Sequence, residues 1–338
     1  MTRRRISTRF FLITALAAVL SAPGPRVHAA PPELVYYDFL EKNPEGNYVL
    51  RGGIYRDPAL GELFRAQTAP PPGGPYRMRL VADAGAMNRA AEFTDLFLGH
   101  EAFAGIKDGL LLERVEGDLG RMNCRNDVPE SPRIIRCDAE YILSLGTGPA
   151  HVTAVFTSRG VGGAGGAMPI ASINYPAITM LHELLHTWTL NDEYQYSQSE
   201  ADFYCSEPSI LKGPNNTSLQ ARDSYESEEE AVRLHGGDIP WLADALLPIT
   251  APGFAGARKL GTQLSLGDRE KPGLFSGANC SRKTPSFRPY GPDTIMRTLS
   301  ADWIPAIHRK AVLAEIAKAA GWPRAFSPRQ SAGPASVK

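Results

Sequence analysis

The 338-residue chain has no charge excess: 36 Lys and Arg balance 36 Asp and Glu. Nucleic-acid and anionic-membrane binding both draw on a basic surplus, so neither has an electrostatic basis here. Cysteine is scarce, with four residues and no Cys-x-x-Cys spacing, which argues against a Cys₄ zinc site. Membrane-length apolar runs are missing. Phe10 to Leu20 is too short to span a bilayer, and no later stretch is long enough.

That first run reads instead as the core of an export signal. Arg3, Arg4 and Arg5 precede it, and Val27-His28-Ala29 follows as a small-residue cleavage site. The organisation expected is a signal peptide over 1–29, an extension or small accessory unit over 30–75, one main domain over 76–322, and a Pro/Ser/Ala-rich tail over 323–338. Export to a secreted or periplasmic location makes the cysteines disulfide partners. Of three possible pairings, Cys124–Cys137 with Cys205–Cys280 is the most local.

What the chain does carry is His182-Glu183-Leu184-Leu185-His186. Roughly one chain in a hundred of this length would contain the pattern by accident, so context matters. Pro176 suits a first helical turn, and Ile178, Leu181, Leu185 and Trp188 recur at helical spacing. Residues four apart on a helix share a face, so both imidazoles can reach one metal ion. Glu183 lies beside them, where a carboxylate can take a proton from water. A helix with two satisfied core histidines is the bland alternative.

Two histidines need a third protein ligand. Asp192 stands six residues past His186, after a helix expected to end near Leu190, at an offset resembling the metzincin pattern His-Glu-x-x-His-x-x-Gly-x-x-(His/Asp). Glu193 is a competing ligand, and Asp192 could instead orient a histidine from behind. The pattern's glycine, which lets the chain turn at positive φ, is Thr189 here, so Asn191 is expected to supply the turn.

Further segments resemble the IgA-peptidase-like metallopeptidases, a branch of the metzincins. Asp192-Glu193-Tyr194 is similar to the end of that family's metal segment. Gly273 to Ala278 and Phe287-Arg288-Pro289 resemble the approach to its Met-turn, and Thr294-Ile295-Met296-Arg297 resembles the turn itself. The likeness spans about Tyr76 to Ile316. It implies an α+β, two-lobed zincin fold, with a twisted mixed sheet and active-site helix above and the Met-turn below. Met296 would then floor the metal site. The tyrosine often found two residues after this methionine is Thr298 here, which leaves Tyr194 and Arg297 as candidates to stabilise an oxyanion.

The residue pattern agrees with that layout. Tyr76 to Ala82, Leu110 to Val115 and Val152 to Thr157 read as strands, Arg89 to Gly105 as helical, and Ile304 to Ala320 as a closing helix. From Ser197 to Lys283 the chain is loop-rich. Gly160 to Gly165 fits Gly-x-Gly-x-x-Gly, but Pro169 and the extended Ile170-Ala171-Ser172 oppose a helix opening on those glycines. A flexible loop beside a cleft, leading into an edge strand, is expected instead. The function expected is a zinc endopeptidase acting on protein or peptide as a monomer, with one zinc on His182, His186 and Asp192 and with Glu183 as general base. The alternative is a non-catalytic binding or structural protein that retains the fold.

Overall fold

The computed structural model describes residues 39–42, 48–51, 72–127, 132–166, 168–206 and 208–322. The 1–29 segment read as an export signal, most of the 30–75 extension and the tail after 322 lie outside the described residues. Upstream of the main domain, Phe39–Lys42 (β1) and Tyr48–Arg51 (β2) pair as an antiparallel hairpin.

Period-two patterning sets the central sheet. In Tyr76–Asp83 (β3), Met78, Leu80 and Ala82 face the largest core cluster, while Val81 enters a second cluster on the opposite face. Leu110–Gly117 (β4) runs beside it in parallel, as does Val152–Thr157 (β5), whose Phe156 and Val155 divide between the same two clusters. Burial on both faces is why β5 reads as a nearly unbroken apolar run, whereas β3 begins by alternating, Tyr76-Arg77-Met78-Arg79, before Leu80-Val81-Ala82. Gly163–Ala164 (β6) and Ile170–Ser172 (β7) complete the order β4-β3-β5-β7-β6. Only the last pairing is antiparallel, which makes β6 an edge strand of opposite sense.

Between β3 and β4 the expected helical stretch is two elements. Met87–Gly99 (α1) ends where His100 takes an extended backbone, and a 3₁₀ segment covers Glu101–Gly109. Phe93 and Phe97 of α1 pack with Phe103, Phe156 and Trp188. Trp188 also donates from Nε1 to the Tyr76 hydroxyl at 2.8 Å. It thereby anchors the motif helix to the sheet.

That helix is Ile178–Thr187 (α2), ending three residues short of Leu190. The sequence suggests one apolar stripe, yet every residue from Thr179 to Leu185 is buried. Core residues of α1, of the sheet and of the closing helix Ala306–Ala320 (α3) join Met180, Leu181, Leu184 and Leu185 of α2 in one cluster, while Thr179, His182 and Glu183 turn toward a cavity. The loop-rich stretch holds short helices and small antiparallel pairs. One four-stranded sheet gathers Lys212–Gly213, Asn216–Ser218, Phe275–Ser276 and Ser286–Arg288. Cys124–Cys137 and Cys205–Cys280 are disulfides, the pairing expected from locality. No helix among the described residues is long and apolar enough to cross a membrane.

Candidate metal centre

His182 and His186 project from adjacent turns of α2, and the chain then reverses to bring Asp192 back against them. Thr189 makes that reversal possible, with φ of 79°. Asn191 is not among the positive-φ residues, so the turn falls at Thr189 itself and not where it was expected. The geometry needs the left-handed residue immediately after the helix, because the Thr189 and Leu190 amides close back on the His186 and Leu185 carbonyls. A β-branched residue there is strained, at about 1–3 kcal/mol. Thr189→Gly should therefore raise stability by about 1 kcal/mol after glycine's extra unfolded-state freedom is subtracted. A thermal melt checks this; a lower melting temperature in the glycine variant would contradict it.

Three potential ligand atoms converge. His182 Nε2 and His186 Nε2 are 3.2 Å apart, and Asp192 Oδ1 lies 3.1 and 3.3 Å from them. Each imidazole directs Nδ1 at a main-chain carbonyl, His182 at Ile295 (2.9 Å) and His186 at Leu190 (2.8 Å). A carbonyl only accepts, so each Nδ1 carries the proton and each Nε2 presents a lone pair. Two lone pairs and a buried carboxylate oxygen with no hydrogen-bond partner thus face one another. A cation at their centre resolves that arrangement. A tetrahedral ion with bonds of about 2.0–2.1 Å separates its ligands by about 3.3–3.4 Å, close to the triangle seen here. His182, His186 and Asp192 could therefore hold a metal ion.

Without a cation the site holds a proton instead: burial alone would lower the His186 pKa, but Asp192 outweighs it and lifts the value to about 9, so a metal ion would bind the neutral ring and displace that proton. Burial would raise the Asp192 carboxyl, but the two histidines hold it well below the usual range. Tyr196 fixes the remaining oxygen, donating to Asp192 Oδ2 at 2.9 Å.

Glu193, the rival ligand, turns the other way. Its carboxylate is fully buried, accepts from Thr294 Oγ1 at 2.5 Å and sits 2.9 Å from His308 Nε2 of α3. Its amide donates to the Met296 carbonyl at 2.8 Å. The Thr294–Met296 segment therefore grips the site through its main chain, with the Ile295 carbonyl on His182 and the Met296 carbonyl on the loop that carries Asp192. Met296 itself is fully buried in the main core. Met296→Leu should cost less than about 1.5 kcal/mol, whereas Met296→Ala should cost about 2–5 kcal/mol and loosen metal retention. Melting and zinc retention measured on both variants decide this. An alanine variant equal to the parent in both would make Met296 peripheral.

Glu183 opens into a cavity of about 150 Å³ that is also lined by His182, Gly163, Tyr194, Arg133 and Arg297. Burial raises its pKa above the ordinary glutamate value, against the pull of His182 and His186. The glycine run is not a loose loop, since two of its residues form edge strand β6. A Cβ on Gly163 would fall 2.5 Å from Glu183 Oε1, and one on Gly165 would fall 2.5 Å from His186 Cβ. Glycine is required there so that the edge can press against the metal helix.

Of the two oxyanion candidates, Tyr194 accepts a hydrogen bond from Arg133 Nη2 and Arg297 pairs with Asp293 at 2.8 Å. Arg133, Tyr196, His308 and Thr294 were not legible as site residues. None has a fixed spacing to the motif, and only the chain's return path brings them near it. Comparison with protein-family models and with curated proteins returns no match.

Proposed function

We propose that this protein is a zinc-dependent peptidase of the metzincin type, exported from the cell. The observation that carries the reading is the three-residue metal group with a buried carboxylate, Glu183, in the adjoining cleft. A tetrahedral structural zinc is closed by four protein ligands, whereas a catalytic one keeps a position open. Among the described residues the group has three members, and Glu193 is committed to His308 and Thr294. This favours the catalytic reading over a purely structural or binding protein. The paired histidines and single carboxylate suit zinc.

Zinc held by His182, His186 and Asp192 would supply Lewis acidity toward a peptide carbonyl and acidify water. Glu183 is the base that takes the water's proton and delivers it to the leaving amine. The main chain of β6 offers an extended peptide an edge to pair with, and Gly163 leaves no side chain in the way. Tyr194 already accepts from Arg133, so its own proton is available to a developing oxyanion. The two-lobed arrangement and the likeness to IgA-peptidase-like enzymes belong to this proposal.

The test is a mixed peptide library incubated with zinc-loaded protein and read by mass spectrometry. Cleavage products that vanish with a chelator and return with zinc are expected. A library left intact by protein of verified zinc content would contradict the reading.

A further inference from the structure

Two arginines stand outside the catalytic group, Arg288 in the strand Ser286–Arg288 and Arg297 in the cleft wall. Arg288 is 2% exposed, yet it forms no salt bridge among the described residues and its Nε has no hydrogen-bond partner. Its one drawn contact to an oxygen is Nη1 to the Ser276 carbonyl at 2.6 Å. A buried guanidinium without a carboxylate is costly, because an isolated charge loses its hydration and regains little. Burial lowers its pKa to about 10 and repulsion from Arg297 adds to this, while Glu193 and Asp293 offset the shift only in part. The two cations therefore lie close enough to feel one another, which compounds the deficit of negative charge.

Arg297 is the member of this pair that reaches the cleft wall. Both of its recorded bonds run from Nη1, to the Gly291 carbonyl at 3.0 Å and to Asp293 at 2.8 Å. That leaves the Nε–Nη2 edge of the fork, the edge that matches a carboxylate bidentately. Asp293 is 57% exposed, so this pair is a solvated one of small worth and does not neutralise the wall. Across the cavity Arg133 differs. It is bound to Glu200 at 3.0 Å and to the Tyr194 hydroxyl, so its charge is compensated.

We propose that the cleft carries a carboxylate-binding subsite at Arg297, backed by buried Arg288, and that the substrates are peptides presenting a carboxylate there. The inference rests on the peptidase reading for its ligand class and names the substrate chemistry of that same cleft. The carboxylate has two possible sources, an Asp or Glu side chain or the peptide's own C-terminus.

The experiment uses zinc-loaded Glu183→Gln protein, so that bound peptide is not consumed, and fluorescence anisotropy with three matched peptides. One is Glu-rich with an amidated C-terminus, one is Gln-rich with a free C-terminus, and one is Gln-rich and amidated. A carboxylate-bearing peptide should bind about ten- to hundredfold more tightly than the neutral amide, the range for a charge-assisted hydrogen bond. Which of the first two does so identifies the source. Arg297→Met should erase the difference and Arg297→Lys restore part of it, while Arg133→Met should leave it in place. Equal affinity for all three peptides, or a preference that survives Arg297→Met, overturns the subsite. Separately, wild-type protein that binds the preferred peptide but never cleaves it would refute the peptidase reading and leave the subsite standing.

Discussion

Asp192→Ala should yield a folded protein that no longer retains zinc. The substitution removes one of three anchors and leaves two imidazoles that already satisfy Nδ1 on main-chain carbonyls. Two neutral ligands bind a divalent ion far more weakly than three with a negative charge among them, so a loss beyond about a hundredfold in affinity is expected. The fold should survive, because both imidazoles keep their main-chain partners at Nδ1 and the carboxylate's other contact is a single hydrogen bond from Tyr196. Glu193→Ala should behave in the opposite way. It strands His308 in the core and unties Thr294, costing about 3–5 kcal/mol of stability, the scale for breaking a buried pair, while the folded fraction still binds zinc. Chelator competition on both variants, beside their melting curves, separates the two roles. Zinc bound normally by Asp192→Ala and lost by Glu193→Ala would invert the assignment.

Glu183→Gln should retain zinc and the melting temperature and lose at least about a hundredfold in peptide turnover, the usual contribution of a positioned base. The amide has nearly the same shape and occupies the same space beside Gly163, so packing changes little. What it lacks is the ability to accept a proton. Undiminished turnover in this variant, with metal content verified, would remove Glu183 from the mechanism.

Local pattern carried much of this account, and its failures share one cause. Alternation at the start of β3 and the nearly continuous apolar run of β5 placed two strands, and the His-Glu-x-x-His spacing placed two of the three possible ligands, because all are set by neighbours in the chain. The helix end was misplaced for the same reason. Leu190 continues the apolar pattern, yet a 79° φ at Thr189 had already turned the chain, and a threonine gives no sign of tolerating it. Closure of His186 Nδ1 on the Leu190 carbonyl, four residues on, holds the strained residue in place, a side-chain contact that apolar spacing does not report. The choice between Asp192 and Glu193 was equally opaque. It depends on His308, 115 residues from Glu193 and supplied by α3 as a lone histidine without a motif. Tyr196, whose hydroxyl orients Asp192, sits four residues on in a non-helical segment where spacing carries no information. The glycine run misled in a different way. Glycines invite a reading as flexible, but at Gly163 and Gly165 they are needed for close approach to Glu183 and His186.

The central claim is a metal centre built from His182, His186 and Asp192. Elemental analysis of the purified mature chain combined with X-ray absorption at the zinc edge tests it most directly. The account predicts one zinc per chain, with two imidazole nitrogens and carboxylate or solvent oxygen in its coordination sphere and no sulfur, since all four cysteines are in disulfides. A protein that cannot be loaded with zinc, or one whose zinc is bound by sulfur or by a single imidazole, would contradict it.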